Sequence, residues 1–266
     1  MISPFEPAIR RDPALLCDAP IDISEHKANG GLNPYHDSFV PIGQQFAQLL
    51  LDRCHLRPYS RVFDIGCGVG RLTQALAACG IKMDYTGYDI NKTYIDYCKD
   101  RNYPSTFRFI HRDIQHDEYN PHGTIDISSQ FPSSLLESKS YSHCCAIALF
   151  NHFKLPWVDL YIKHAASLLR PGGYFFCTMF LINTESIQAM ARRPRAAMRF
   201  SDRNDPDEWH DYINRPLVNA AFSEQKIRQS FISHGFAIEE PIKYGAWVGS
   251  PTAVTGHDVI IATKLK

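Results

Sequence analysis

The residues best suited to chemistry form a glycine-rich turn, Asp64-Ile65-Gly66-Cys67-Gly68-Val69-Gly70. A buried strand is predicted just before the glycines, and helical spacing follows them. Glycines let the backbone approach a ligand closely because no Cβ stands in the way. The free N–H groups at the start of the following helix favour a negatively charged group. The turn therefore predicts a nucleotide-like ligand at the end of a buried strand.

The spacing of the glycines separates two classes of cofactor. A dinucleotide site has the pattern Gly-x-Gly-x-x-Gly, but Arg71 stands where its third glycine would fall, and Gly70 comes one position earlier. Asp64 lies two positions before the first glycine, where a carboxylate can hold an ammonium group. The methionine part of S-adenosylmethionine carries such a group and a nicotinamide cofactor does not. We therefore expect S-adenosylmethionine as the ligand.

Two more acidic residues follow the next two predicted strands. Asp89 comes about 20 positions past the glycines, a distance at which a carboxylate can bind both ribose hydroxyls. Asp113 follows the third strand, where it can accept a hydrogen bond from the adenine amino group while Ile114 packs on the ring. The alternative for either Asp is an ordinary capping or solvated role.

Strand and helix patterns alternate along most of the chain, which predicts a parallel sheet with helices on both faces. Residues 1–40 are expected to be an N-terminal arm, residues 41–266 a single domain, and the polar segment 182–222 a lid inserted into it. The predicted strands are 61–65, 83–88, 106–111, 143–150, 174–180, 236–242 and 259–263, and the predicted helices are 41–55, 70–79, 91–100, 157–169 and 223–234.

These motifs resemble those of class I S-adenosylmethionine-dependent methyltransferases, in particular a bacterial subgroup of the small-molecule type. The match includes the glycine-rich turn, Asp89, Asp113 and Leu168-Leu169-Arg170-Pro171-Gly172-Gly173, a turn common before the fifth strand of that family. The ending from Tyr244 to Ile260 resembles the subgroup as well. The resemblance implies a three-layer, Rossmann-like α/β fold whose seven-stranded sheet is mostly parallel, with the last strand antiparallel.

The resemblance also implies which residues contact the cofactor and the acceptor. Tyr35, Tyr244 and Trp247 are expected at the acceptor, and in the family the arm that holds Tyr35 often closes over the cofactor. Plain packing is the alternative for these residues and for Phe150. The expected cofactor-binding residues are Asp64, Gly66, Cys67, Gly68, Gly70, Tyr88, Asp89, Ile90, Asp113, Ile114, Leu149 and Phe150.

One residue could act as a general base. Transfer to a hydroxyl acceptor benefits from such a base, and His152 follows strand four at the edge where open α/β sheets place their sites. A capping or packing role is the alternative. Methyltransferases that act on amino groups of nucleic acids or proteins often carry an Asn/Asp-Pro-Pro-Tyr-type motif there, but residues 149–153 read Leu-Phe-Asn-His-Phe. This absence favours a small-molecule acceptor, methylated at oxygen or nitrogen.

Composition narrows the class of protein. Lys plus Arg and Asp plus Glu both number 28, so no electrostatic footprint for nucleic acid or an anionic membrane stands out. The eight cysteines include no Cys-x-x-Cys and no Cys/His group with zinc spacing, so we expect reduced thiols, no metal and a cytoplasmic location. No apolar run approaches ~20 residues, so no transmembrane helix is expected. An oligomer is possible, but the sequence does not indicate one.

Two alternatives to an S-adenosylmethionine-dependent enzyme stay open. A non-catalytic S-adenosylmethionine-binding protein is compatible with Asp64, Asp89 and Asp113, because these residues would hold the cofactor and do no chemistry. A nicotinamide-dependent oxidoreductase is disfavoured by Arg71, which replaces the third glycine of a dinucleotide site.

Overall fold

The computed structural model describes residues 38–128, 140–192, 198–203, 205–212, 214–250 and 253–266. It divides into two compact units, with the boundary between Asp113 and Ile114. Most of the predicted arm, including Tyr35, lies outside the described residues. The single domain predicted over residues 41–266 stays a prediction.

The first unit alternates helix and strand, as the sequence predicts. Its elements are α1 (Phe39–Asp52), β1 (Arg61–Ile65), α2 (Arg71–Ala78), β2 (Asp84–Asp89), α3 (Lys92–Lys99) and β3 (Phe107–His111). The strands β1 and β2 pair in parallel, as do β2 and β3. Helix α1 starts before Pro41 because the first turn of a helix needs no internal N–H donor. Asn91 caps α3, since its side chain accepts a hydrogen bond from Tyr94 N.

The second unit contains the other strands of the main sheet and a smaller sheet. Its elements are β4 (Tyr141–Ala146), α4 (Leu155–Leu168), β5 (Leu169–Met179), β6 (Leu181–Ile182), α5 (Thr184–Arg192), β7 (Glu208–His210), β8 (Ala220–Ser223), α6 (Glu224–Ser233), β9 (Phe236–Ile238) and β10 (Asp258–Lys264). Strands β4 and β5 pair in parallel, whereas β10 pairs antiparallel with β5 and β9.

The seven-stranded sheet has the order β3-β2-β1-β4-β5-β10-β9. The expected fold class, a mostly parallel seven-stranded sheet with an antiparallel last strand, is confirmed. None of the helices within the described ranges combines the length and the apolar character that a membrane crossing requires.

Strand β4 is shorter than predicted. It ends at Ala146, so Leu149 and Phe150 lie outside it, and Phe150–His152 forms a 3₁₀ turn. The chain leaves the strand because Ala148 adopts a positive φ of 52° and its N–H bonds to Thr178 Oγ1 at 2.8 Å, rather than continuing a ladder.

The predicted turn at residues 170–173 is part of strand β5. The register places Tyr141 opposite Leu169 but His143 opposite Tyr174, so the four residues 170–173 of β5 lie opposite the single residue Ser142 of β4. The extra residues form a bulge in which Gly172 has a φ of 74°. The predicted strand 236–242 is also too long, because β9 ends at Ile238.

The segment predicted as a polar lid contributes most of a second, small core. Strands β6, β8 and β7 form a three-stranded sheet in that order. Its buried side chains are apolar and mostly large: Phe180, Ile182, Phe200, Trp209 and Ala221. These apolar residues are scattered among charged ones. The sequence therefore shows no hydrophobic periodicity, helical or strand-like, that would predict this core.

We predict that Gly87→Ala destabilises the protein by about 1–3 kcal/mol, because the added Cβ overpacks a filled site. That Cβ would lie 2.9 Å from Cys67 Sγ, 3.0 Å from Phe109 Cδ1 and 3.1 Å from Tyr85 Cε1. Gly256→Ala is the matched control, since no atom lies within 4 Å of its added Cβ. Urea unfolding measures both, and equal stabilities of the two variants would contradict the prediction.

Candidate active site

The glycine-rich turn in the first unit is anchored on the end of β2. Gly66 N and Cys67 N both donate hydrogen bonds to Tyr88 O, at 2.8 and 3.0 Å. Gly66, Gly68 and Gly70 have φ values of 72°, 56° and 84°, a region that residues with a Cβ rarely adopt. The turn therefore depends on glycine at the three predicted positions, and it lies at the carboxyl ends of neighbouring strands.

Asp89 joins the turn to the start of α3. Its Oδ2 accepts a hydrogen bond from Gly68 N at 2.8 Å, and its Oδ1 accepts one from Asn91 N at 2.8 Å. Burial raises the pKa of Asp89, and the backbone hydrogen bonds oppose that rise. Each carboxylate oxygen can accept more than one hydrogen bond. Asp89 can therefore cap the start of α3 and also accept hydrogen bonds from a ligand.

Asp64 is buried, with 2% of its surface exposed, and belongs to a chain of hydroxyls. Thr73 Oγ1 donates to Tyr85 Oη at 2.8 Å, and Tyr85 Oη donates to Asp64 Oδ2 at 2.6 Å. Burial raises the pKa of Asp64 to about 7, against the lowering effect of the Tyr85 hydrogen bond. Sequence reasoning missed Tyr85, although a tyrosine in a buried strand needs a partner for its hydroxyl.

The predicted cofactor residues up to Asp113 all lie in the first unit. They occupy the carboxyl ends of β1, β2 and β3, the edge at which open α/β sheets bind ligands. Arg112 N donates to Asp89 O at 3.2 Å, and His111 Nε2 lies 3.1 Å from Ile90 O. These bonds tie the ends of β2 and β3 together and place the half-buried Asp113 just after them.

The remaining predicted cofactor residues lie in the second unit. Ile114 is buried and forms a bridge with Ile125. Phe150 is fully buried, and its ring lies 5.9 Å from that of Phe153 and 6.2 Å from that of Phe175. Leu149 is half-buried. The described contacts of Phe150 are those of a core residue.

His152 is held as a neutral ring by partners on both nitrogens. Its Nδ1 lies 3.1 Å from Leu217 O and 2.9 Å from Tyr119 Oη. A carbonyl oxygen only accepts, so Nδ1 carries the proton and Nε2 accepts from Asn151 Nδ2 at 3.2 Å. Burial is the main cause that lowers the pKa of His152, to about 4. The unprotonated nitrogen is therefore Nε2.

His116 positions the predicted base through a hydrogen bond to its backbone, a role that sequence reasoning missed. Its Nε2 donates to His152 O at 2.7 Å. Its Nδ1 accepts hydrogen bonds from Glu118 N and Tyr119 N, each at 3.2 Å. Burial lowers the pKa of His116 as well. Both ring nitrogens of His116 are therefore hydrogen-bonded to backbone atoms. In the described part of the chain, no group of three or more His, Cys, Asp or Glu side chains could hold a metal ion.

Tyr244 and Trp247 are held by buried or half-buried carboxylates. Tyr244 Oη donates to Glu224 Oε2 at 2.9 Å, and Trp247 Nε1 donates to Asp258 Oδ1 at 2.9 Å. Asp258 is fully buried and also accepts from Gly245 N at 2.7 Å and Leu181 N at 2.8 Å. The Trp247 ring packs on aromatic side chains of the small core. These contacts fix the loop before β10.

We predict that Asp258→Ala destabilises the protein by about 3 kcal/mol or more, because three buried donors lose their acceptor. Asp96→Ala is the control, since the exposed Asp96 pairs with Lys92 on α3, and such pairs contribute about 0.3–0.5 kcal/mol. Thermal unfolding compares the two variants. Similar losses in both would show that Asp258 has no special structural role.

We also predict that His152 titrates at about pH 4 and carries its proton on Nδ1 above that pH. The unfolded chain takes up this proton near pH 6.5. The contribution of His152 to stability is therefore complete above pH 6.5 and is lost as the pH falls toward 4. Ring ¹⁵N chemical shifts followed over pH measure both properties, and a protonated Nε2 at pH 7 would contradict the assignment.

Solved structures share this fold. An S-adenosylmethionine-dependent methyltransferase from Methanosarcina mazei aligns with a TM-score of 0.54 and 20% identity, over 79% of this chain and 94% of that one. The CcbJ methyltransferase from Streptomyces caelestis aligns with a TM-score of 0.54 and 14% identity, over 85% and 90% of the respective chains. At these identities the likeness concerns the fold alone.

Two curated relatives match part of the chain. A fatty-acid O-methyltransferase of Mycolicibacterium smegmatis is 30% identical over 118 residues, which are 44% of this chain and 36% of that protein. A malonyl-[acyl-carrier protein] O-methyltransferase of Acetivibrio thermocellus is 32% identical over 159 residues, 53% of this chain and 56% of that protein. The chain thus matches about a third of the first relative's length and just over half of the second's.

A family model described as a methyltransferase domain matches residues 36–240, well over half of the chain. The match confirms the resemblance to methyltransferases that was drawn from the glycine-rich turn. The chain belongs to the methyltransferase-domain family.

Proposed function

We propose that this chain transfers the methyl group of S-adenosylmethionine to a small-molecule acceptor, at oxygen or nitrogen. The observation that carries the proposal is the glycine-rich turn tied to Asp89 through Gly68 N, within a chain of the methyltransferase-domain family. Both curated relatives are named as O-methyltransferases, which supports oxygen as the accepting atom.

The first unit supplies the groups that would hold the cofactor. The remaining lone pairs of Asp89 suit the two ribose hydroxyls, and Asp113 suits the adenine amino group. Asp64, if ionised, suits the ammonium group of the methionine part, because an opposite charge within ~4–6 Å would favour its carboxylate form. The backbone of Gly66, Gly68 and Gly70 leaves room for close approach of the ligand.

The main contribution of the protein to methyl transfer is to position the acceptor against the methyl donor. S-adenosylmethionine, when bound, supplies a methyl group already activated on a sulfonium. Holding acceptor and donor in line can contribute ~7–11 kcal/mol. His152 Nε2 is unprotonated, and it can take a proton from a hydroxyl acceptor in place of the hydrogen bond from Asn151 Nδ2. Its low pKa makes it a weak base, so we expect base assistance to be a smaller contribution than positioning.

The same proposal includes the surroundings of the enzyme. The cysteines among the described residues are free thiols, which supports the reducing environment of the cytoplasm. The balanced net charge supports a small molecule rather than a nucleic acid as the partner. Tyr244 and Trp247 are proposed to shape the acceptor side through the loop that Asp258 fixes.

We predict that Asp89→Asn weakens binding of S-adenosylhomocysteine at least about tenfold, because an amide cannot accept the turn's N–H and the ribose hydroxyls as a carboxylate does. Asp84→Asn is the matched control, since Asp84 is exposed at the opposite end of the same strand. Isothermal calorimetry measures binding to wild type and both variants.

Two further measurements decide between the functional classes. Binding of NAD without binding of S-adenosylhomocysteine by the wild type would refute the proposal. A transfer assay with a labelled methyl group and small hydroxyl, amine or carboxylate compounds separates an enzyme from a non-catalytic binding protein. Tight binding of S-adenosylhomocysteine without transfer to any of these compounds favours the binding protein.

A further inference from the structure

Tyr85 is a fully buried tyrosine whose hydroxyl reaches the carboxylate just before the glycine-rich turn. The register of β1 and β2 pairs Tyr85 with Val62 and Asp64 with Gly87. The side chains of Tyr85 and Asp64 therefore project from the same face of the sheet. A Cβ at Gly87 would lie 3.1 Å from Tyr85 Cε1, so glycine at that position leaves the Tyr85 ring the space that it occupies.

Two hydrogen bonds fix the direction of the Tyr85 hydroxyl. Thr73 Oγ1, on α2, donates to Tyr85 Oη at 2.8 Å, and Tyr85 Oη donates to Asp64 Oδ2 at 2.6 Å. A phenol has a single hydrogen, which points at the carboxylate, while the bond from Thr73 uses a lone pair of the same oxygen. Burial raises the pKa of Tyr85 well above its usual range, so the hydroxyl stays protonated and remains a donor to Asp64 at neutral pH.

The ionisation of Asp64 depends on the groups that β2 and α2 place around it. Burial raises the pKa of Asp64 to about 7, and the negative charge of Asp89 acts in the same direction. The hydrogen bond from Tyr85 and the positive charge of Arg71 lower the pKa of Asp64. Tyr85 and Arg71 therefore favour the carboxylate form, against the effect of burial.

The Cys67 thiol of the turn also lies near Asp64 but contributes no charge. A hydrogen bond with Cys98, followed by burial, raises the pKa of Cys67 well above its usual range. The carboxylate of Asp64 forms near neutral pH, and the hydrogen bond from Tyr85 lets it form at a lower pH than it otherwise would.

We propose that Tyr85, oriented by Thr73, is a positioning residue for the cofactor, and that its bond to Asp64 sets the pH range in which binding of the cofactor's ammonium group expels a proton from Asp64. This inference rests on the proposed function, in which Asp64 holds that ammonium group. The ammonium group favours the carboxylate and, by reciprocity, the carboxylate favours the ammonium group. Below pH 7 the Asp64 proton must leave to solvent when the cofactor binds, whereas above pH 7 the cofactor meets a carboxylate.

Isothermal calorimetry of the full chain with S-adenosylhomocysteine, from about pH 6 to about pH 9, tests the coupling. We expect the Kd of the wild type to rise about tenfold between pH 8 and pH 6, because most of Asp64 is protonated one unit below its midpoint. Titrations in two buffers of different ionisation enthalpy should show release of close to one proton at the lowest pH and almost none at the highest. The probe 5′-methylthioadenosine lacks the ammonium group, so its Kd should not follow this pH dependence.

Tyr85→Phe keeps the ring and removes the donor to Asp64, so we expect the midpoint of the pH dependence to move upward. The Kd for S-adenosylhomocysteine should rise about three- to tenfold at pH 7 and return to within about twofold of wild type near pH 9. Tyr59→Phe is the matched control, because Tyr59 is 80% exposed before β1, and it should leave every curve unchanged. A loss of affinity in Tyr85→Phe that is the same at every pH is what plain damage to the fold produces, and it overturns the inference.

A second readout needs no cofactor. The ¹³C signal of the Asp64 carboxyl group, assigned by its absence from Asp64→Asn, is followed over pH in the free protein. Its midpoint should lie near pH 7 in the wild type and higher in Tyr85→Phe, and equal midpoints overturn the inference. Binding of S-adenosylhomocysteine with a Kd independent of pH refutes the inference alone, whereas absence of binding at every pH refutes the proposed function as well.

Discussion

The carboxylates of Asp64, Asp89 and Asp258 lose water on folding, and the groups that replace that water determine the geometry of the loops around them. Burying an ionisable group without hydrogen-bond partners is costly. The backbone N–H groups of Gly68 and Asn91 therefore come to Asp89, and those of Leu181 and Gly245 come to Asp258. In both cases the carboxylate fixes a loop at the carboxyl end of a strand or next to it.

The same requirement explains the histidines of the second unit. His116 and His152 are largely buried, their pKa values are lowered, and each ring uses both nitrogens. A neutral ring is one donor and one acceptor, so each histidine fixes the orientation of its neighbours. Asn151 belongs to the same network, because its Nδ2 donates to His152 Nε2 at 3.2 Å.

Local signals in the sequence were sufficient to predict the glycine-rich turn and most of the helices and strands. The glycines at 66, 68 and 70, the strand before them and the Asp at 89 act within a short stretch, where backbone sterics and helix-start chemistry dominate. The predicted helix starts at residues 91 and 223 have the same local origin, since the side chains of Asn91 and Ser223 accept hydrogen bonds from backbone N–H groups of the first turn. The family assignment followed from these motifs.

The sequence by itself thus determined most of the strands and helices of the seven-stranded sheet, the glycine-rich turn and the family. Only the tertiary structure decided where β4 ends, how β5 absorbs residues 170–173, and which polar groups meet. His116 and His152 are 36 positions apart, and Leu181 and Asp258 are 77 apart. No local pattern encodes such pairs, because they arise when the packing of distant elements leaves a donor and an acceptor without water.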